Sequence, residues 1–440
     1  RGATQGVGQV TLQLNDTGDL VARWRHVMAA EFPAYMRPLS NLGPLAPGNV
    51  FGPRAVEWQK EYERRTGQVQ DGVVSDQDLI DLKLVSPPTH TMFTVRGTGG
   101  IIGLDYTSQI AQALPGLYHE HPIDYAAAMG GIPVGAANDP TAPSGDECAE
   151  QACQMLADAV VGSTATFAVA GYSLGCKGPV LFLNRLFDPA DPLNAHAHRL
   201  VCVVLIADPW RPYGHAFYRG PIPDGQGIGT PYFTMSDAAI NALGFRCCWL
   251  ANPPDLYTNA PRGGTGAVLA DIEQIVLTTE MSDPLGTIAR AIPYLLQLVE
   301  KDGGLQTLLT GAAGVAPALP GAVAPVLGAL PTALVDPTAL LGGIAAGAIA
   351  LTPVLVGFLL PILESGFTGL LDGIASNGAN LPPGIAADVQ AAVLALKFYG
   401  SGIAGHLHYH DTRWGIGPQT YLQLGIQHAA DYGRRVPVAT

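Results

Sequence analysis

One stretch constrains this chain more than any other: residues 166–175, reading Thr-Phe-Ala-Val-Ala-Gly-Tyr-Ser-Leu-Gly. An apolar β-type run ends in Gly171-Tyr172-Ser173-Leu174-Gly175, and Cys176 to Leu183 continues as a helix-forming segment. A nucleophile elbow has this context: a sharp strand-to-helix turn with small residues two before and two after the serine. The turn holds the serine Oγ clear of the backbone, at the positive end of the following helix. The pentapeptide alone also occurs in ordinary glycine-rich turns, so the flanking strand and helix carry the assignment. A serine placed this way still needs a base, an acid and an oxyanion hole from the rest of the chain.

The elbow belongs on a parallel sheet, and the sequence supplies one. Thr91 to Arg96 reads as a strand running into the turn Gly97-Thr98-Gly99-Gly100. Leu200 to Ala207 is an uninterrupted apolar run bounded by Asp208-Pro209, the pattern of a buried parallel strand. Phe245 to Leu250 is a further strand, ending in Ala251-Asn252-Pro253-Pro254-Asp255. Helical segments alternate with them. One opens on the capping box Ser144…Glu147 and runs to about Val161; the elbow helix continues to Phe187; Thr420 to Tyr432 closes the chain. Between the first strand and the capping box, residues 121–135 read as a tight proline- and glycine-rich region. Strands alternating with helices predict an α/β fold with a parallel sheet. With 48% hydrophobic residues the chain can bury a large core, and a net charge of −13 argues against a nucleic-acid partner. The six cysteines are scattered without metal-ligand spacing and read as reduced, with Cys176 and Cys202 in apolar stretches as small core residues.

Composition divides the chain into four parts. Residues 1–84 are aromatic, charged and helical, with helices after Gly18-Asp19 and over Ala55–Thr66, and Ser86-Pro87-Pro88 follows as a linker. Residues 89–261 carry the first part of the hydrolase core, and residues 403–440 return to it. Between them, 262–402 is dominated by Ala, Leu, Gly and Pro, with amphipathic helices over Gly266–Leu277 and Pro284–Val299. No charge occurs between Asp336 and Glu364, long enough for a membrane span. Pro353, Pro361 and several glycines interrupt it, and its flanks are acidic, so an apolar helical cap over the site is expected instead of a transmembrane helix. The N-terminus shows no charged n-region before an apolar h-region, which predicts synthesis in a cytoplasm without a signal peptide.

A serine hydroxyl needs a histidine base, and the imidazole needs an acid to fix its tautomer. The chain order serine, acid, histidine is met by Ser173, then Asp255, then one of the late histidines. Asp255 lies just past a strand end, where ligand-facing loops cluster; Asp208 has the same credential and is the second candidate acid. His406, His408 and His410 would share one face of an extended segment, which invites a zinc reading, but no fourth ligand is evident and the elbow needs no metal. The turn at Gly97–Gly100 fits neither phosphate-binding spacing and is read as the loop that completes an oxyanion hole.

Two resemblances sharpen these expectations. Phe51-Gly52-Pro53-Arg54-Ala55-Val56-Glu57-Trp58-Gln59 and Gly67-Gln68-Val69-Gln70-Asp71-Gly72-Val73-Val74 resemble the three-helix peptidoglycan-binding repeat, with an enlarged loop from Phe32 to Asn49 and Trp24 where glutamine is common. Arg96-Gly97-Thr98, Gly171-Tyr172-Ser173-x-Gly175, Pro254-Asp255-Leu256 and His406-Leu407-x-Tyr409 resemble the cutinase pattern in its order. Together with Asp208-Pro209-Trp210-Arg211 and a helical insertion before the histidine, the chain resembles the lysin B enzymes of mycobacteriophages. That resemblance implies a cutinase-like α/β-hydrolase and a serine esterase releasing mycolic acids from arabinogalactan at the bacterial envelope. It implies Ser173 as nucleophile, His406 as base and Asp255 as orienting acid, with the backbone N–H groups of Thr98 and Leu174 as the hole and no metal or cofactor. The implied partner is the mycolyl-arabinogalactan-peptidoglycan wall, with peptidoglycan contact by residues 1–84. The alternatives are a general cutinase or lipase, or a wall-binding or virion structural protein on an inactive hydrolase fold. Leu174 replaces a frequent glutamine, and the cysteine pair that brackets the acid in fungal cutinases is missing, which predicts that packing of Pro253 and Pro254 holds the Asp255 loop.

Overall fold

The computed structural model describes residues 11–283, 290 and 403–439, apart from 37, 40, 42, 86, 87, 218, 219, 221 and 416. Most of the expected cap, including the helix over Pro284–Val299 and the charge-free stretch 336–364, lies outside the described residues. No helix among the described residues is long and apolar enough to cross a membrane. The chain forms two compact units, residues 1–89 with 440, and His90–Ala439.

Among its described residues the first unit holds three α-helices. α1 (Asp19–Glu31) follows Gly18. α2 (Pro53–Thr66) begins on a proline, whose missing N–H would be unpaired there anyway, and ends at Gly67 in the left-handed region. The short α3 (Asp76–Asp81) starts on a capping box between Ser75 and Asp78. Trp24, Met28, Phe51, Trp58 and Leu79 are fully buried between them. Leu12 lies outside the helix and pairs with Val74 in an antiparallel bridge.

The second unit is built on a five-stranded, all-parallel sheet in the order β2-β1-β3-β4-β5. Its strands are β1 (His90–Val95), β2 (Tyr118–Pro122), β3 (Phe167–Tyr172), β4 (Leu200–Ile206) and β5 (Cys247–Leu250). Between and after them come α4 (Tyr106–Gln112), α5 (Gly145–Val161), α6 (Lys177–Leu186), α7 (Asp237–Leu243), α8 (Gly264–Leu277), α9 (Ala404–Leu407) and α10 (Tyr421–Gly433). This is the α/β architecture expected from the alternation of elements. α5, α6 and α7 cover one face over Phe93, Val169, Leu205 and Trp249. α4 and α10 cover the other over Met92, Ala170, Val204 and Leu250. Strands buried on both faces have no polar side to show, which is why β3 and β4 read as continuous apolar runs. β5 starts two residues later than its apolar run suggests, because Phe245 and Arg246 belong to a 3-10 turn and Phe245 is exposed. Cys247 and Cys248 project to opposite faces, each into a separate core cluster, so their adjacency in sequence brings no thiol pairing.

The sequence reading assigns no strand to β2: Tyr118-His-Glu-His-Pro122 is a strand that ends inside the proline- and glycine-rich region at 121–135. It lies at the sheet edge with alternating burial, so it has no apolar run to betray it. From β1 the chain steps outward to β2 on one side and, through β3, outward to β4 and β5 on the other. The order therefore reverses between β1 and β3, and open α/β sheets bind ligands at the carboxyl ends of the strands flanking that point. Ser173 follows β3 and Thr98 follows β1.

Candidate active site

Ser173 is held at φ 55°, a conformation unusual for any residue but glycine, and opens a 3-10 turn leading into α6. β1 packs tightly against that turn: a Cβ on Gly97 would lie 3.2 Å from the Ser173 Cβ. Strand pairing between Val95 and Gly171 sets this proximity, and the residues after both strands inherit it.

His406 completes the contact from the far end of the chain. Its Nε2 lies 2.8 Å from Ser173 Oγ and its Nδ1 lies 3.0 Å from Asp255 Oδ2. With Nδ1–H donating to the carboxylate, Nε2 presents its lone pair to the serine hydroxyl. Asp255 is fully buried, and its oxygens are further engaged: the Tyr409 hydroxyl donates to Oδ2 at 2.8 Å and the Tyr257 N–H to Oδ1 at 3.1 Å. The imidazole is sandwiched between rings, with Tyr172 stacked at 5.2 Å and Tyr257 edge-on at 4.8 Å. Tyr172 also donates its hydroxyl to the His406 carbonyl, and Asn252 Nδ2 donates to the Gly405 carbonyl. Gly405 itself allows this approach, since a Cβ there would lie 2.7 Å from the Asp255 nitrogen. The three residues named from sequence are thus brought into one hydrogen-bonded line.

The turn after β1 has four successive N–H groups. Gly97 donates to Asp105 Oδ2, Gly99 to the Ala127 carbonyl and Gly100 to the Gly97 carbonyl. The Thr98 N–H finds no acceptor among the described residues, and Thr98 Oγ1 is buried without a protein partner. A phosphate cradle needs several converging N–H groups, so this turn is not one; it leaves a single donor beside the elbow. Leu174 lies in the first turn after Ser173, where N–H groups lack intrahelical acceptors. Its side chain is buried against Trp210 and Leu277, the latter from α8. Asp105, which no motif singled out, anchors the turn and caps α4; burial raises its carboxyl above the usual range.

Other expectations are corrected. Pro253 and Pro254 are exposed and do not pack the acid loop. Hydrogen bonds hold it instead. The Asn259 side chain joins the Pro253 carbonyl to the Gly225 N–H, and Gln226 pairs with Ala260. The buried Arg211 donates to the carbonyls of Thr258, His215 and Gly225. The segment of late histidines is not extended. Ile403 at φ 50° and the turn of α9 direct His406 inward, while His408 and His410 are exposed. Tyr409 stands in the motif His406-Leu407-x-Tyr409, which gives it no role there, and Asn252 carries no signal beyond its closeness to Asp255.

Asp208 is not the carboxylate that contacts His406. Its Oδ1 accepts the Trp210 N–H and its Oδ2 the Trp249 indole N–H, and burial raises its pKa from 3.8 to about 6. Because the folded protein holds this proton more tightly than the unfolded chain, the associated stability is complete below about pH 4 and is lost as pH rises through about 6. The shift corresponds to roughly 3 kcal/mol. An asparagine cannot titrate, and its single acceptor oxygen leaves one donor unpaired at every pH. Urea midpoints of Asp208→Asn and wild type are therefore expected to converge as pH rises from 4 to 7. A difference that stays constant over that range would remove Asp208 as the titrating group.

Comparison with protein-family models and with curated proteins finds no match. Among solved structures, lysin B from Mycobacteriophage D29 is similar over 42% of this chain and 74% of its own, at 22% identity and a TM-score of 0.33. A cutinase-like protein from Cryptococcus sp. is similar over 44% of this chain and 98% of its own, at 12% identity and a TM-score of 0.29. The catalytic core domain of acetyl xylan esterase from Trichoderma reesei is similar over 46% of this chain and 98% of its own, at 18% identity and a TM-score of 0.27.

Proposed function

We propose that the chain is a serine-dependent carboxylic ester hydrolase whose substrate is the ester joining mycolic acids to arabinogalactan, cleaved during phage-mediated lysis of a mycobacterial host. The observation that carries the hydrolase reading is the line from Ser173 Oγ through His406 to Asp255, with contacts of 2.8 and 3.0 Å, on a serine held at φ 55°. His406 removes the hydroxyl proton as Oγ attacks the ester carbonyl, and Asp255 stabilises the imidazolium that forms. The N–H groups of Thr98 and Leu174 receive the developing oxyanion, each such donor contributing about 3 kcal/mol. The imidazolium then protonates the departing sugar hydroxyl, and water attacks the acyl-enzyme by the same route to free the acid.

The finer reading draws on the ordered motifs around Arg96, Ser173, Asp255 and His406 and on the apolar rim of the site. Ile101, Ile102 and Leu104, just past the Thr98 turn, and Leu407, beside the base, are exposed. Large apolar side chains left in solvent next to a nucleophile suit a long acyl chain. Residues 1–84 are proposed to contact peptidoglycan, placing the enzyme at the envelope after its release from the host cytoplasm.

Thin-layer analysis of lipids released from purified mycobacterial wall tests the substrate, with protein blocked by a fluorophosphonate as control. Release of mycolic acid by the active protein alone is the expected result. Hydrolysis of p-nitrophenyl esters without that release would make it a general cutinase or lipase. Wall binding without fluorophosphonate labelling would make it a structural protein.

A further inference from the structure

Past the base, the chain turns sharply and leaves a group of side chains that the proposed hydrolysis does not use. His408 Nδ1 lies 2.9 Å from Asp411 Oδ2, and His410 Nε2 lies 3.7 Å from the same oxygen. One ligand-capable atom from each of the three side chains lies within 4.8 Å of the others. All three side chains are about half exposed, at 48, 52 and 54%. They can therefore be reached from solvent and can adjust.

The tautomer of His410 is set from behind. Tyr106 donates its one hydroxyl proton to the Leu407 carbonyl, so its oxygen accepts from His410 Nδ1, 2.8 Å away. Neutral His410 then carries its hydrogen on Nδ1 and turns the Nε2 lone pair toward the Asp411 carboxylate. A lone pair facing an anion is relieved by a cation between them. A metal-bound imidazole commonly has this arrangement, one nitrogen on the ion and the other donating to a fixed acceptor.

We propose that His408 Nδ1, His410 Nε2 and Asp411 Oδ2 bind a divalent transition-metal ion of the zinc class, with Tyr106 as the outer partner that orients His410. Two imidazole nitrogens and one carboxylate suit zinc better than calcium or magnesium, which take oxygen. Bonds of about 2.1 Å in tetrahedral geometry separate ligand atoms by roughly 3.4 Å, between the two spacings found here. The fourth position stays with water. The ion would tie the turn that follows His406 to α4 through Tyr106, leaving the Ser173–His406–Asp255 line untouched.

Titration calorimetry of the EDTA-stripped full chain with zinc chloride is the test. One ion per chain is expected, with affinity falling tenfold or more in His410→Ala and in Asp411→Ala. Tyr106→Phe is expected to weaken binding about tenfold while keeping all three ligands. Circular-dichroism melts in EDTA identify any variant that fails to fold, and the exposed His408→Ala serves as a further ligand variant. Absence of binding by wild type at millimolar zinc overturns the proposal. So does wild-type affinity in the His408→Ala/His410→Ala double variant, which would put the ion elsewhere.

Discussion

Ser173→Ala is expected to lower turnover of p-nitrophenyl esters by about 10,000-fold or more and to abolish labelling by a fluorophosphonate. Removing Oγ takes away the only atom that His406 Nε2 contacts in the line, while the imidazole remains held by Asp255 and by the rings of Tyr172 and Tyr257. What would survive is catalysis by the proposed oxyanion donors and substrate binding, which a triad knockout leaves in place. Stability should change little. Alanine and serine both carry a Cβ, so the φ of 55° is equally unfavourable for each, and one hydrogen bond is worth about 1 kcal/mol. A near-native melt with lost turnover is therefore the expected signature, read from initial rates and circular dichroism on the same sample. Activity above one part in a hundred would place the nucleophile elsewhere in the chain.

Gly175→Ala is expected to have the opposite profile, a collapse of stability from one added methyl. A Cβ at this position would lie 2.1 Å from the Arg96 carbonyl oxygen and 2.5 Å from that of Val95. Both are backbone atoms at the end of β1, so no side chain can rotate out of the way. Relief requires the elbow to part from β1, breaking contacts at the centre of the sheet. Overpacking that backbone cannot absorb exceeds the usual 1–3 kcal/mol, and about 4 kcal/mol is expected. Gly116 supplies the control: nothing lies within 4 Å of a Cβ there, so Gly116→Ala should unfold near the wild-type urea midpoint. Equal midpoints for the two variants would dismiss the steric account of the second motif glycine.

The elbow could be read from sequence because its requirements are local. A buried strand needs a run such as Phe167–Tyr172, and the crowded turn needs small residues on either side of Ser173. The capping box at Ser144 was legible for the same reason, since it is closed by residues three apart. β2 was not, because an edge strand is specified by its partner β1 more than by its own His-Glu-His sequence. The support of the acid was misread for a related reason. Proline stiffness is visible in sequence, whereas the bond from Arg211 to the Thr258 carbonyl spans 47 positions.

The sequence by itself determined the serine, the parallel α/β sheet and the order in which acid and histidine must follow, because periodicity and turn chemistry act over a few residues. It left Asp208 and Asp255 equivalent as acids past strand ends, and it left three histidines in one short segment. Tertiary structure alone separated them. Trp210 and Trp249 turn the Asp208 carboxylate into a buried structural acceptor, while Tyr409 and Tyr257 hold Asp255 toward the imidazole. The αL residue Ile403 starts the turn that brings His406 within 2.8 Å of Ser173, a contact between residues 233 positions apart. A hydrogen bond over that distance depends on how the sheet and its loops close together, and no local pattern encodes it.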